Sequence, residues 1–319
     1  MEPSFYIGDI PIKGEVFLSP MANISDSPYR LLCRRMGAGY SFTEFVSTDG
    51  LWRGNQKTID MFRFKEAERP IIFQIFGNKP DVILEAAKIA QEMGPDVIDL
   101  NMGCSCSKVA HHGSGAGLLK DPIRSGRILE SMAKALEIPV TAKIRLGWDH
   151  KSLNYKETAR ILEDSGARMI SVHGRTKAQS YKGFANWDAI GEVKQCVSVP
   201  VMGNGDVTTY AEALERKRDY GVDGVLVGRG GIGNPWLFGG RRREDVTPVE
   251  IVDVALEHLD AMLGFYERGL ILFRKHASRY FTDFPGAVEL RAKLVRTESV
   301  NEFRELCLAT REKFAAQAA

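Results

Sequence analysis

A carboxylate, an amide and two thiols fall within the run Asp99-Leu-Asn-Met-Gly-Cys-Ser-Cys. The run closes an apolar segment, 96–100, that reads as a buried strand. It then delivers Asn101 and Cys104 into a loop that contains glycine. A cysteine just past a strand end, beside flexible backbone, can serve as a nucleophile, a proton donor or a metal ligand.

Other polar side chains stand at the ends of apolar runs in the same way. They are Glu44, Gln74, Lys143, His173, Asn204 and Arg229, with Met21 as an apolar counterpart. A polar group at that depth costs free energy unless it is partnered. A ring of them converging on one mouth is better explained by a bound polar cofactor or substrate than by chance. A buried Lys143 ammonium needs an anionic or acceptor partner, and beside an aromatic cofactor it could stabilise negative charge on a reduced ring. His173 could donate a hydrogen bond at the same place. Two glycine-rich segments, Gly203-Asn-Gly-Asp206 and Gly228-Arg-Gly-Gly231, follow the last two runs. They suit a phosphate held by backbone amides and by a bidentate Arg229.

The elements that must position these groups alternate regularly. Short apolar runs at 15–20, 41–46, 70–76, 96–100, 139–144, 169–173, 200–203 and 224–228 are each followed by a helix-like segment such as 80–93. Alternation of this kind implies parallel strands joined by right-handed crossovers, and eight units match a (β/α)8 TIM barrel. Its chemistry would sit at the carboxyl ends of the strands. An open doubly wound sheet usually carries a glycine-rich first turn, whereas here the first run ends in Pro-Met-Ala. From Thr247 the pattern becomes purely helical. Thr247-Pro-Val-Glu250 and Ser299-Val-Asn-Glu302 are capping boxes with helical apolar spacing behind them. The expected organisation is a barrel domain over 1–244 and a C-terminal helical-bundle domain over 245–319.

Composition excludes more than it selects. The chain has 319 residues, 44% apolar and 26% charged, with a net charge of +2. That is an ordinary globular balance, with no excess of charge aimed at nucleic acid or lipid. No apolar stretch has the length of a membrane span, and no secretory leader is legible at the start. Five cysteines without a paired framework suit a reducing compartment, so the cytoplasm is expected.

Taken in order, the motifs resemble the tRNA-dihydrouridine synthases. The matching segments are Ser19-Pro-Met-Ala22, Thr43-Glu-Phe-Val-Ser47, Gln74-Ile-Phe-Gly77, Asp99-Leu-Asn-Met-Gly-Cys104, Lys108-Val109 and Gly113-Ser-Gly-Ala116. They continue with Ala142-Lys-Ile-Arg145, Val172-His-Gly-Arg-Thr176, Gly203-Asn-Gly-Asp206 and Gly228-Arg229. Arg274-Lys-His276 with Tyr280, and Leu290-Arg291, match the helical part more loosely. The resemblance implies an FMN-dependent enzyme that reduces a uridine in tRNA with NADPH. Pro20, Met21 and Ala22 would line the flavin, and Gln74, Lys143 and His173 would hydrogen-bond it. Asn204, Gly205, Asp206, Gly228 and Arg229 would hold its tail and phosphate. Asn101, Arg145, Arg175 and Arg274 would meet the RNA, and Cys104 would protonate carbon 5 of the uracil. A monomer is expected, because the barrel mouth must admit a large RNA.

Two departures from the family pattern stand out. Ser105 replaces the usual proline after Cys104, and Cys106 adds a second thiol. Ala110-His-His112 replaces basic residues after Val109. A zinc site built from Cys104, Cys106, His111 and His112 lacks a standard ligand spacing. Cys33, Cys196 and Cys307, with Trp148, Trp187 and Trp236, read as packing residues. Residues 241–319 carry 13 Lys/Arg against 13 Asp/Glu, so a basic surface there would need arrangement and not excess. Two rival readings share the fold: a flavin dehydrogenase of a free pyrimidine, and a non-catalytic tRNA-binding protein.

Overall fold

The computed structural model describes residues 2–318. A hairpin of β1 (Phe5–Ile7) and β2 (Ile10–Ile12) comes first. The barrel strands are β3 (Val16–Leu18), β4 (Ser41–Phe42), β5 (Val46–Ser47), β6 (Ile71–Phe76), β7 (Val97–Met102), β8 (Val140–Arg145), β9 (Ile170–His173), β10 (Val201–Asn204) and β11 (Gly224–Val227). They form one parallel sheet in the order β3-β11-β10-β9-β8-β7-β6-β4, with β5 also on β6. Gly39 N donates to Val16 O at 3.4 Å where the first and second staves meet, so the sheet curls into a nearly closed (β/α)8 barrel. The run 41–46 is two short strands and not one, because the chain bends between Phe42 and Val46.

The helices are α1 (Ser27–Arg35), α2 (Thr48–Trp52), α3 (Gln56–Asp60), α4 (Pro80–Glu92), α5 (Ser107–Ala110), α6 (Pro122–Ala135), α7 (Tyr155–Asp164), α8 (Trp187–Cys196) and α9 (Tyr210–Tyr220). Their local signals are orthodox. Asp26 caps α1 and Asp121 caps α6, each with a proline in the first turn, and Gly221 closes α9 in the left-handed region. In α4 the buried residues Ile83, Ala86, Ala87 and Ala90 form one stripe at helical spacing, turned toward the sheet. None of the described helices is long and apolar enough to cross a membrane.

Two apolar layers result. One lies between strands and helices; the other fills the lower barrel interior. The hairpin was not legible in the sequence pattern. Its Phe5, Ile7 and Ile12 pack with Phe17, Phe42, Ile72, Val97, Met202 and Leu226 to plug the amino-terminal end. Strand side chains alternate faces, so two residues further along each strand the interior becomes polar. Gln74, Asp99, Thr141 and Ser171 stand above the plug, and Asn101, Lys143, His173 and Asn204 stand near the mouth.

After short turns at Pro235–Gly239 and Arg243–Asp245 come α10 (Pro248–Phe265), α11 (Gly269–Tyr280), α12 (Ala287–Leu294) and α13 (Val300–Ala318). The Thr247–Glu250 capping box forms as the spacing predicts. These helices share the outer apolar layer with the barrel. Tyr29 of α1 stacks on His258 of α10 with ring centres 5.4 Å apart. Cys33 and Cys307 are buried, as expected, whereas Cys196 is only half-buried because it ends α8 near the surface. Trp187 and Trp236 are buried; Trp148 is half-buried, with Lys120 and Lys177 over its ring.

Candidate active site

The carboxyl ends of the strands open into a cavity of about 930 Å³. That lies at the upper end of the range for small-molecule sites. Residues from every stave of the barrel except the second reach its wall among those anticipated. Pro20, Met21 and Ala22 enter after β3, Gln74 on β6, and Asn101 and Cys104 on and after β7. Lys143, Arg145, His173 and Arg175 follow from β8 and β9, then Asn204, Gly205 and Asp206, and finally Gly228 and Arg229. Arg274 is not among them. It lies on α11 and donates to the Thr297 carbonyl at 2.6 Å.

Asn101 belongs to β7 itself and not to the following loop, and its amide is committed. Its Oδ1 accepts from the backbone N–H of Gly103 (3.1 Å) and Cys104 (2.9 Å). Its Nδ2 donates to Gln74 Oε1 at 2.7 Å, and Gln74 Nε2 donates to Asp99 Oδ2 at 2.8 Å. The chain of bonds therefore ties the cavity floor to the Cys104 turn. From below, Gly115 supports that turn. Its φ is +55°, and a Cβ there would stand 3.0 Å from Cys104 Cβ. The Gly113-Ser-Gly-Ala segment thus needs glycine for conformation and for space. Ser105, where the family pattern has proline, places its Oγ 3.3 Å from Ser180 Oγ and 3.5 Å from an Arg145 nitrogen. Polar ties thereby replace the lost stiffness of the ring.

Cys104 is half-buried in the cavity wall, and desolvation raises its thiol pKa. It is therefore protonated at neutral pH and suited to give up a proton, not to act as a ready thiolate. Cys106 is exposed at the rim. His111 and His112 lie outside the cavity wall; His111 Nε2 sits 3.0 Å from Lys177 Nζ. Cys104, Cys106, His111 and His112 do not form a metal-ligand cluster among the described residues.

Lys143 is buried, and its Nζ donates to Asn204 Oδ1 at 3.0 Å. Asn204 in turn donates to the Leu226 carbonyl, which fixes its oxygen toward the lysine. Burial, with Arg145 nearby, lowers the ammonium pKa to about 7. His173 is held neutral, its pKa lowered by burial and then by Arg145 and Lys143. Arg175 has only donors, so its 3.4 Å contact with His173 Nε2 uses that lone pair and leaves the ring proton on Nδ1.

Asp206 organises the rim. Its φ is +55°, and its carboxylate accepts two bonds from Arg175 (2.7 and 2.6 Å), one from Ala185 N (2.8 Å) and one from Arg229 (3.3 Å). Arg175 spends its remaining donors on the carbonyls of Lys182 and Gly183. Arg145 spends its own on the carbonyls of Gly103, Thr176 and Ser180. Both arginines are buried braces: Arg145 joins the Cys104 turn to the loop after β9, and Arg175 ties that loop to Asp206 after β10. Arg229 keeps most of its surface, with the Tyr181 ring 4.7 Å from its guanidinium carbon.

Sequence reasoning gave no role to Asp99, although it is in period-two register with Asn101. Buried beneath the cavity, it accepts from Thr141 and Gln74, and desolvation lifts its pKa to about 6. Phe45 and Tyr181 also line the cavity; Phe45 falls within the Thr43–Ser47 segment without a role of its own there, and nothing in the local sequence marks Tyr181.

The family model described as dihydrouridine synthase matches residues 17–318. The chain belongs to the dihydrouridine synthase family. It is accordingly a flavin-dependent oxidoreductase. Over 320 residues it is 36% identical to "tRNA-dihydrouridine synthase B" of Pseudomonas aeruginosa, covering 97% of this chain and 95% of that one. It is 36% identical over 296 residues to a "Probable tRNA-dihydrouridine synthase" of Rickettsia prowazekii, covering 89% and 90%. Histamine dehydrogenase from Rhizobium sp. 4-9 shares the barrel, with a TM-score of 0.56 at 14% identity over 80% of this chain and 50% of that one.

A flavin fits the residues present. Lys143 is a buried cation whose nearest polar partner is a neutral amide, and it faces a cavity large enough for a planar ring system. An electron-rich heterocycle there would give the ammonium an acceptor beyond that amide.

Proposed function

We propose that the protein reduces a uridine of tRNA to 5,6-dihydrouridine in the cytoplasm, with FMN as cofactor and NADPH as the source of electrons. The observation that carries this reading is a protonated thiol, Cys104, in the wall of the same cavity as Lys143, His173 and Arg229. Relatives bearing that name align along nearly the whole chain.

Bound FMN supplies the hydride that carbon 6 of the uracil accepts. Cys104 gives its proton to carbon 5 from the opposite face, and the thiolate then regains a proton from solvent. Lys143 and His173 hold the polar edge of the ring system, with Lys143 meeting developing negative charge. Arg229, with the backbone of Gly205 and Gly228, takes the phosphate end. Pro20, Met21 and Ala22 form the apolar wall. Asn101, Arg145 and Arg175 set the shape of the site by holding the Cys104 turn and the loop after β9.

The uridine must leave its stack to enter a cavity at this depth. Residues 1–244 form the cofactor-binding part and residues 245–319 the part that grips the tRNA. The exposed basic residues Arg279, Lys293 and Arg296 make no ion pair among the described residues and can meet phosphates. Arg274 and Arg291 are tied to backbone carbonyls and serve the packing of the helices.

The test is tRNA from a deletion strain, reduced in vitro by purified protein with NADPH, against free uracil as a competing substrate. Cys104→Ala should cut the rate by about 10²–10⁴ while flavin and tRNA binding persist. Cys106→Ala should stay active. Full activity of Cys104→Ala removes the assigned acid. Reduction of free uracil with none in tRNA removes the substrate.

A further inference from the structure

Away from the cavity, Asp26, His258 and His276 meet at the junction of the barrel and the C-terminal helices. All three are buried, with 3%, 1% and 0% of their surfaces exposed. They come from the cap of α1, the middle of α10 and the middle of α11. One ligand atom from each lies within 4.8 Å of the others. Asp26 Oδ1 caps α1 by accepting from Tyr29 N at 3.1 Å, which leaves Oδ2 without a hydrogen bond. His258 Nε2 and both ring nitrogens of His276 also make no hydrogen bond. Four buried polar atoms without hydrogen bonds therefore gather in one spot, which is costly unless an ion or a water meets them.

We propose that Asp26, His258 and His276 bind a divalent transition-metal ion of the zinc class. Asp26 Oδ2 and His276 Nε2 are 3.5 Å apart, close to the edge of a tetrahedron with metal–ligand bonds of about 2.0–2.1 Å. His258 Nδ1 lies 3.0 Å from the Tyr280 hydroxyl. If the ring proton sits there, Nε2 presents its lone pair inward, an outer bond typical of metal-ligating histidines. Burial holds both imidazoles neutral, the form that ligates. Two imidazoles and a carboxylate suit zinc, cobalt or nickel better than magnesium or calcium. Lys275 Nζ, 3.5 Å from Asp26 Oδ2, is the present counter-charge. It is partly exposed and can turn to solvent when an ion takes its place. The ion would staple α1 to α10 and α11, and so fix the helices against the barrel at a distance from the flavin cavity.

The experiment uses the intact protein with its flavin. Metal content is measured after dialysis in metal-free buffer, followed by chelator treatment and titration with Co(II) and Zn(II). About one equivalent of zinc should be found or taken up per chain. Co(II) should give visible absorption to the red of the flavin bands, and Zn(II) should raise Tm of the chelated protein. His258→Gln and His276→Gln should each abolish the Co(II) bands. Protein that neither carries nor takes up metal overturns the proposal and assigns the orphaned atoms to a buried water. Equal uptake by wild type and both variants overturns it as well, because the ion then binds elsewhere.

Discussion

Removing the Lys143 charge should make the cofactor-free protein more stable and the flavin complex weaker. In the folded protein the ammonium pKa is about 7, against 10.5 ordinarily. Between those values the unfolded chain binds the extra proton, so stability of the flavin-free protein rises with pH across that window. Below about pH 7 both states are protonated and the penalty is constant. A shift of three to four units corresponds to roughly 4–5 kcal/mol at about 1.4 kcal/mol per unit. Water in the open cavity screens part of this, so we expect Lys143→Met to gain roughly 2 kcal/mol at pH 7. At about 2–4 °C per kcal/mol, Tm should rise by roughly 4–8 °C. The assay is calorimetry of deflavinated wild type and variant at pH 7 and pH 10. The difference should be largest at pH 7 and shrink toward pH 10. FMN titration should show the opposite order, with weaker binding by the variant, because the electron-rich ring system then has no cation to meet. A pH-independent difference, or a variant less stable than wild type at pH 7, would show that the charge is already neutralised within the protein and would refute the argument.

Asn101→Ala removes the acceptor for two backbone N–H groups of the Cys104 turn. It should lower kcat by about tenfold or more, for a loss of 1–2 kcal/mol in placing the thiol, with flavin affinity nearly unchanged. A parallel loss of flavin would mean that Asn101 acts on the cofactor instead. Asp206→Ala leaves the buried Arg175 guanidinium without its carboxylate, which should destabilise the protein by about 3–5 kcal/mol and expose the 174–186 loop to protease. Unchanged Tm and an uncleaved loop would contradict its role as the organiser of the rim.

Much of this architecture was legible in the chain because periodicity is a local property. Strand–helix alternation, proline and acidic caps, and the Thr247 capping box each depend on residues within a turn or two of one another. The ring of polar residues at strand ends was equally visible, and the barrel turned all of it except Glu44, which accepts from the Asn23 backbone instead, into one cavity. Roles were harder to read than positions. Arg145, Arg175 and Arg274 look like phosphate binders by type, yet each spends donors on the protein. Which donors are consumed depends on carbonyls and carboxylates brought in from distant segments.

By itself, then, the order of residues determined the barrel, the thiol in its loop and the family to which they belong. Tertiary structure alone decided that the 5–12 hairpin plugs the barrel, that Asn101 holds the Cys104 turn, and that Asp26 meets His258 and His276 across more than two hundred residues. The physical reason is range. A cap or an amphipathic stripe is written within a few neighbours, whereas desolvation, pKa and the satisfaction of a buried polar atom belong to whatever the folded chain packs around it.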